Sequence, residues 1–150
     1  MKNVFNQNDT ADFISRINKL TPTSKPSWGK MNVEQMLAHC NVTYEMVYDD
    51  IHPKPNVFKK FFLKLLVKNI VINEKPYKKN SQTAAEFIIK DSKKFESEKK
   101  RLIDYIIKTQ QLGKNHFEGK ESHSFGVLTS IEWNNMFSKH LDHHLTQFGV

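Results

Sequence analysis

The chain has 150 residues, which suffices for one domain with a substantial core and is too short for two. Its 23 Lys and Arg residues against 16 Asp and Glu residues give a formal net charge of +7, and no apolar run approaches the roughly 20 residues of a membrane span. The N-terminus lacks the apolar stretch of a secretory signal and Cys40 has no partner for an internal disulfide, so we expect a cytoplasmic protein.

The positive charge is concentrated in the middle of the chain. Residues 56–120 contain 16 basic and 7 acidic side chains, whereas residues 121–150 contain one and three. Such a block can attract phosphates or anionic lipid, but on Lys-rich amphipathic helices it is more often a solvated face. No aromatic-basic recognition motif accompanies it, so we expect no nucleic-acid partner.

Hydrophobic periodicity predicts two helices in the first third of the chain. The first begins near Asp9 or Thr10, ends before Pro22, and has an apolar face made of Phe13, Ile14, Ile17 and Leu20. Asn32 and Gln35 have the spacing of a capping box for the second helix, over about residues 33–50. The apolar stripe of this helix comprises Val33, Met36, Leu37, Cys40, Tyr44 and Val47, and His39 lies beside it.

A shorter amphipathic helix is predicted over Asn56 to Ile72. Its apolar side holds Phe58, Phe61, Phe62, Leu65 and Leu66, and its basic side holds Lys60, Lys64 and Lys68. Two interpretations fit this pattern. The helix caps one side of a helical bundle, or it rests on an anionic lipid surface.

The second half of the chain predicts two longer helices. Thr83-Ala84-Ala85-Glu86 resembles a capping box and begins a helix from Ser81 or Thr83 to Gly113, with inward positions at Ala84, Phe87, Ile88, Phe95, Leu102 and Ile106. A loop containing His116 and His123 follows, and Thr129-Ser130-Ile131-Glu132 caps the last helix. The expected architecture is an all-α single domain over residues 1–150, an antiparallel four-helix bundle with an additional short helix in the middle connection.

The last helix contains the chemically most informative pattern, His140-Leu141-Asp142-His143-His144. Residues four apart lie on one helical face, so His140 and His144 can direct two imidazoles at a single point, as a divalent metal requires. His39, on another amphipathic helix, can supply a third ligand between facing helices. The alternative is that His39 is buried with a backbone hydrogen bond while His140 and His144 lie on the surface.

These motifs also carry a family resemblance. Trp28, Gln35-Met36-Leu37-Ala38-His39 and the spaced His140, His144 and Gln147 resemble the DinB/YfiT-like superfamily, whose members are described as metalloenzymes. More narrowly, Phe125-Gly126-x-Leu128-Thr129, Glu132-Trp133 and the segment from Lys139 to Phe148 resemble a branch known only as a domain of unknown function. The resemblance implies a four-helix bundle in which His39, His140 and His144 bind a divalent ion, zinc or nickel.

Two functions from different classes follow. The first is a metal-dependent transferase or hydrolase acting on a small molecule, since some members of the superfamily transfer groups to low-molecular-weight thiols such as bacillithiol or mycothiol. The second is a non-catalytic metal- or small-ligand-binding protein, for example a stress or dimerisation module, and a homodimer is left open. Gln35 and Gln147 are expected to support the ligands, and the sequence does not single out a general base.

Overall fold

The computed structural model describes residues 1–49 and 51–150. It is mostly helical, with helices α1 (Gln7–Asn18), α2 (Val33–Tyr48), α3 (Val57–Phe62), α4 (Lys68–Ile72), α5 (Phe95–Phe117) and α6 (Ser130–Gln147). A π-helical turn, Leu63–Val67, joins α3 to α4, and a 3-10 turn, Ala85–Phe87, precedes α5. Strands β1 (Lys120–Ser122) and β2 (Gly126–Leu128) form an antiparallel hairpin between α5 and α6. Within these described ranges no helix is long and apolar enough to cross a membrane.

The two helices that carry the histidine triad begin at the predicted capping boxes. The Asn32 side chain accepts from the backbone N–H of Gln35 at 2.9 Å, and Thr129 Oγ1 accepts from that of Glu132 at 3.2 Å. In both boxes the second side chain bonds back to the backbone of the cap. The predicted starts of α2 and α6 are therefore confirmed. The predicted last residue of α2, Asp50, lies outside the described residues.

The core lies between the four longer helices. Helix α2 packs along α5, and α6 contacts α1, α2 and α5. Tyr44 of α2 stacks on Phe137 of α6 and Tyr105 of α5, with ring centroids 4.9 and 5.6 Å apart. The predicted inward positions Phe13, Ile17, Leu20, Leu102 and Ile106 are buried, as is Cys40. Burial of these side chains supplies most of the driving force for the fold.

The predicted helical start at Ser81 or Thr83 is wrong. The backbone is extended at Ala84 and Ile88, and α5 begins only at Phe95. Ala84 and Ile88, predicted to face inward, are exposed. At its other end α5 continues beyond Gly113, where φ is 70°, to Phe117. The hairpin that follows is a second departure from the all-α prediction.

Of the two interpretations of the short middle helix, the one in which it caps the bundle requires a buried apolar side, which the structure does not show. None of the residues in α3, the π-turn or α4 is buried. Most large apolar side chains of this segment are exposed, although Ile72 packs against the core. Lys59, Lys60 and Lys68 instead pair with acidic residues elsewhere in the protein.

Candidate metal centre

Helices α2 and α6 bring the three predicted ligands together. Nε2 of His39 lies 3.0 Å from Nε2 of His140. The ring of His144 lies 4.5 Å from that of His39 and 4.8 Å from that of His140, between centroids. One nitrogen from each of the three residues lies within 4.8 Å of the other two. A group of this size can hold a metal ion, since zinc ligated by two imidazoles separates their nitrogens by about 3.3 Å.

Fixed oxygen acceptors determine the tautomers of His39 and His144. Nδ1 of His39 donates to the Phe87 carbonyl at 2.8 Å, and Nδ1 of His144 donates to Oε1 of Gln147 at 2.8 Å. The Gln147 amide is oriented because its Nε2 donates to the Trp28 carbonyl at 2.6 Å. A neutral imidazole with its proton on Nδ1 has a lone pair on Nε2. Both rings therefore present an Nε2 lone pair, which is the form a metal ligand requires.

His140 has a more adaptable partner. Its Nδ1 lies 3.0 Å from the Thr43 hydroxyl, which can either donate or accept. When Thr43 accepts, Nε2 of His140 is a third lone pair directed at the cluster. When Thr43 donates, Nε2–H of His140 can donate to Nε2 of His39 across the 3.0 Å gap. The site can thus satisfy its hydrogen bonds with or without a cation.

All three imidazoles are held neutral. Burial lowers the pKa of His144 from 6.5 to about 3, opposed only by the hydrogen bond to Gln147. Burial also lowers the pKa of His39, and it lowers that of His140 well below 6.5 with the other histidines adding to the effect. Because these imidazoles resist protonation, protons compete only weakly with a metal cation for their lone pairs.

The chain matches the model of a family described as "Protein of unknown function (DUF1569)" over residues 2–149. The chain belongs to this family. The resemblance of the C-terminal motif to a domain of unknown function is thereby confirmed. No curated protein and no solved structure matches the chain.

One of the two predicted supporting residues contacts the triad in this DUF1569 protein. Gln147 does, as described above, whereas Gln35 does not. The side chain of Gln35 accepts from the Asn32 backbone and donates to the Ile89 carbonyl, so both ends are used in capping α2 and fixing the segment before α5. The supporting groups missed from sequence are the Thr43 hydroxyl, one turn after His39, and the Phe87 carbonyl.

Three of the remaining histidines lie apart from the cluster, and His143 is adjacent to it. His52 pairs with Glu45 at 2.7 Å, His116 is exposed, and His123 lies against the His52 carbonyl at 3.3 Å. His143 is half-buried, and its ring lies 5.0 Å from that of His144 and 5.8 Å from that of Trp28. His143 is not one of the three residues in the group that can hold an ion.

His143 lines a cleft of about 720 Å³ beside the triad. Trp28 and Tyr77 form aromatic walls, and Lys79 lies 4.3 Å over the Trp28 ring. Two of its lining residues have a buried polar atom, Trp28 Nε1 and Ser138 Oγ, that has no hydrogen-bond partner among the described residues. These two atoms are inaccessible to solvent, and the polar groups that line the cleft beside its aromatic walls include Lys79, Asp142 and His143, a composition typical of small-molecule sites.

Proposed function

We propose that this protein binds a divalent metal ion, zinc or nickel, through Nε2 of His39, His140 and His144, and uses it in a reaction on a small molecule. The observation that carries the proposal is the convergence of three neutral imidazoles, two of which have their Nδ1 atoms bound to fixed acceptors. The Nε2 atoms of His39 and His140 are 3.0 Å apart, so one ion can contact both.

The donor set fits such an ion. Three imidazole nitrogens suit zinc and nickel better than magnesium or calcium, which prefer oxygen ligands. When bound, an ion with three neutral ligands keeps its double charge and supplies Lewis acidity toward water or a thiol. The residues of this chain hold the three rings in place, keep them deprotonated, and exclude most bulk solvent from His39 and His144, which are 4% and 7% exposed.

The cleft beside His143 is the proposed position of the small molecule. The aromatic rings of Trp28 and Tyr77 can contact a flat or apolar group, and the side chains of Lys79 and Asp142, which also line the cleft, can bind its polar atoms. The reaction class is transfer to a low-molecular-weight thiol or hydrolysis, in a DinB-like four-helix bundle located in the cytoplasm. The four packed helices α1, α2, α5 and α6 support this fold assignment.

A non-catalytic metal- or ligand-binding protein is the second candidate. It is favoured by the chemistry of the groups that touch the triad. The Nδ1 partners are a backbone carbonyl, an amide and a hydroxyl. Within residues 1–49 and 51–150, no carboxylate belongs to the cluster that can hold the ion. A general base, which hydrolysis needs near the attacking water, is thus not supplied by the triad's own surroundings.

Elemental analysis of protein purified without added metal tests the ligand assignment. The wild-type protein is expected to contain close to one equivalent of zinc or nickel, and His140→Ala/His144→Ala almost none. His143→Ala is the matched control, because it removes a neighbouring imidazole of the same helix and should keep the metal. Absence of metal from the wild-type protein, both as purified and after incubation with each ion, would overturn the proposal.

Turnover assays then separate the two candidates. Metal-loaded protein is mixed with an electrophile such as monobromobimane and a panel of small thiols, and separately with activated esters. Metal-dependent turnover that is absent from His140→Ala/His144→Ala supports an enzyme. Stoichiometric metal with no turnover of any thiol or ester supports the non-catalytic protein.

A further inference from the structure

The segment from α3 to α4 exposes a continuous apolar surface. Seven of its large side chains are between 46% and 87% exposed, and we call them the outer face: Val57, Phe58, Phe61, Phe62, Leu65, Leu66 and Ile70. Their spacing along the helix is close to i, i+4 and i+8, which places them together on one side. A contiguous exposed apolar patch of this size is typical of a surface that contacts another molecule or a membrane.

The lysines of the same segment hold it against the protein. Lys59 pairs with Glu86 at 2.7 Å, Lys60 with Glu121 at 2.6 Å, and Lys68 with Glu132 at 3.2 Å. The three acidic partners come from the turn before α5, from β1 and from α6. Because the polar side of the helix is used in these contacts, its apolar side is turned outward.

The net charge around the outer face indicates what covers it. Residues 51–73 contain five lysines and no acidic residue. Three lysines are paired as described, and exposed Lys54 and Lys64 leave the segment positive. In a symmetric contact between two copies the same face meets itself, so these positive charges would approach each other. An anionic lipid surface attracts the same charges and accepts Phe and Leu side chains at the boundary of its headgroups.

We propose that the outer face of α3–α4 binds peripherally to membranes that contain anionic lipid. Phe58, Phe61 and Leu65 insert between the headgroups, and the positive charge of the segment, which includes exposed Lys54 and Lys64, attracts lipid phosphates or carboxylates. This binding is independent of the metal site, and it brings the rest of the domain to the lipid surface without any segment that spans the bilayer.

Flotation of the purified full-length chain with lipid vesicles tests this inference. At low ionic strength the wild-type protein is expected to float with vesicles of phosphatidylcholine containing about one third phosphatidylserine, and to bind pure phosphatidylcholine at least about tenfold more weakly. Phe58→Ser/Phe61→Ser/Leu65→Ser should lose at least about tenfold in partitioning. Lys54→Gln/Lys64→Gln should lose about fivefold for each lysine on anionic vesicles only.

A matched pair of single variants separates this face from exposed apolar residues in general. Phe61 is 62% exposed, and Ile131 at the start of α6 is 67% exposed. Phe61→Ser is expected to weaken flotation and Ile131→Ser to leave it unchanged, with equal far-UV circular dichroism for both.

Three results would overturn the inference. The first is failure of the wild-type protein to float with anionic vesicles at low ionic strength. The second is equal flotation of the wild-type protein and the triple Ser variant. The third is self-association in analytical ultracentrifugation that the triple variant abolishes while vesicle binding is absent, which would assign the outer face to a second copy of the chain.

Discussion

The histidine triad and the outer face of α3–α4 both depart from the usual placement of polar groups outside and apolar groups inside a folded protein. The triad buries polar groups, and the outer face exposes apolar ones. At the triad, polar rings lie inside, where desolvation disfavours their charged forms. On α3–α4, apolar rings and aliphatic chains lie outside, where water must solvate them. The aromatic and aliphatic core of the described chain lies between α1, α2, α5 and α6.

The two regions differ in how the fold supports them. Each triad ring has a hydrogen-bond partner, and these partners depend on several elements: Phe87 and Thr43 lie outside α6, and Gln147 is bonded to Trp28. The outer face has ion pairs behind it but no apolar cover within the described residues. We therefore expect the triad to be sensitive to substitutions throughout its surroundings, and the outer face to tolerate them in the folded state.

The largest expected effect contrasts two phenylalanines. Phe137 is 1% exposed and packs on Tyr44, whereas Phe61 is 62% exposed. Phe137→Ala should lower the free energy of unfolding by about 3–5 kcal/mol, because it removes buried area and leaves a cavity. Phe61→Ala should change it by less than about 0.5 kcal/mol. Urea unfolding followed by circular dichroism measures both, and equal losses would mean that α3–α4 is packed in solution.

Thr43→Val should weaken zinc binding by about 10- to 100-fold, because it removes the hydroxyl that orients His140. Thr43→Ser keeps the hydroxyl and should bind nearly as tightly as the wild-type protein. Competition with a chromogenic chelator gives the affinities. If the Val and Ser variants bind zinc equally, Thr43 has no part in positioning His140.

Comparison of Gly29→Ala with Gly119→Ala tests whether the position of Gln147, which accepts from His144, affects zinc binding. Both glycines have positive φ, 84° and 71°, so both substitutions introduce backbone strain of about 1–2 kcal/mol. An added Cβ at Gly29 would lie 2.5 Å from Nε2 of Gln147, whereas Gly119 has nothing within 4 Å. Only Gly29→Ala should therefore also lower zinc affinity. Similar affinities for the two variants would show that Gln147 does not need its bond to Trp28.

The last prediction concerns pH. The pKa of His144 falls from 6.5 to about 3 on burial, and those of His39 and His140 shift in the same direction. Below pH 6.5 the unfolded chain binds protons that the folded chain does not, so the stability of the metal-free protein decreases as pH falls. Each group adds a slope of at most about 1.4 kcal/mol per pH unit. Urea midpoints measured in chelator from about pH 7.5 to about pH 5 should show this loss, and His144→Gln should reduce the slope by about one proton.

Local signals in the sequence predicted the parts of the site that depend on local geometry. The capping boxes at Asn32 and Thr129 require only four residues each, and both are formed. The i, i+4 spacing of His140 and His144 follows from the helix alone. Gln147 was found because it lies on the same helix, three residues after His144.

The groups missed from sequence depend on tertiary structure. Thr83 and Glu86 have the spacing of a capping box, yet this segment is extended, and its conformation is what makes the Phe87 carbonyl available to His39. In a continuous helix that carbonyl would accept from the backbone four residues later. The three-residue strands on either side of Phe125 are too short to show an alternating pattern of apolar and polar residues. The segment from α3 to α4 is held by ion pairs to three elements that are distant in sequence.

The long sequence separation of the proposed ligands affects the stability of the protein and its abundance in the cell. His39 and His140 are 101 residues apart in sequence, so an ion held as proposed closes a loop that contains most of the domain. Unfolding must then release the ion, and the folded fraction depends on the free metal concentration by mass action. A cell depleted of that ion would contain less of this protein, through faster turnover of the unfolded chain and without any change in its synthesis.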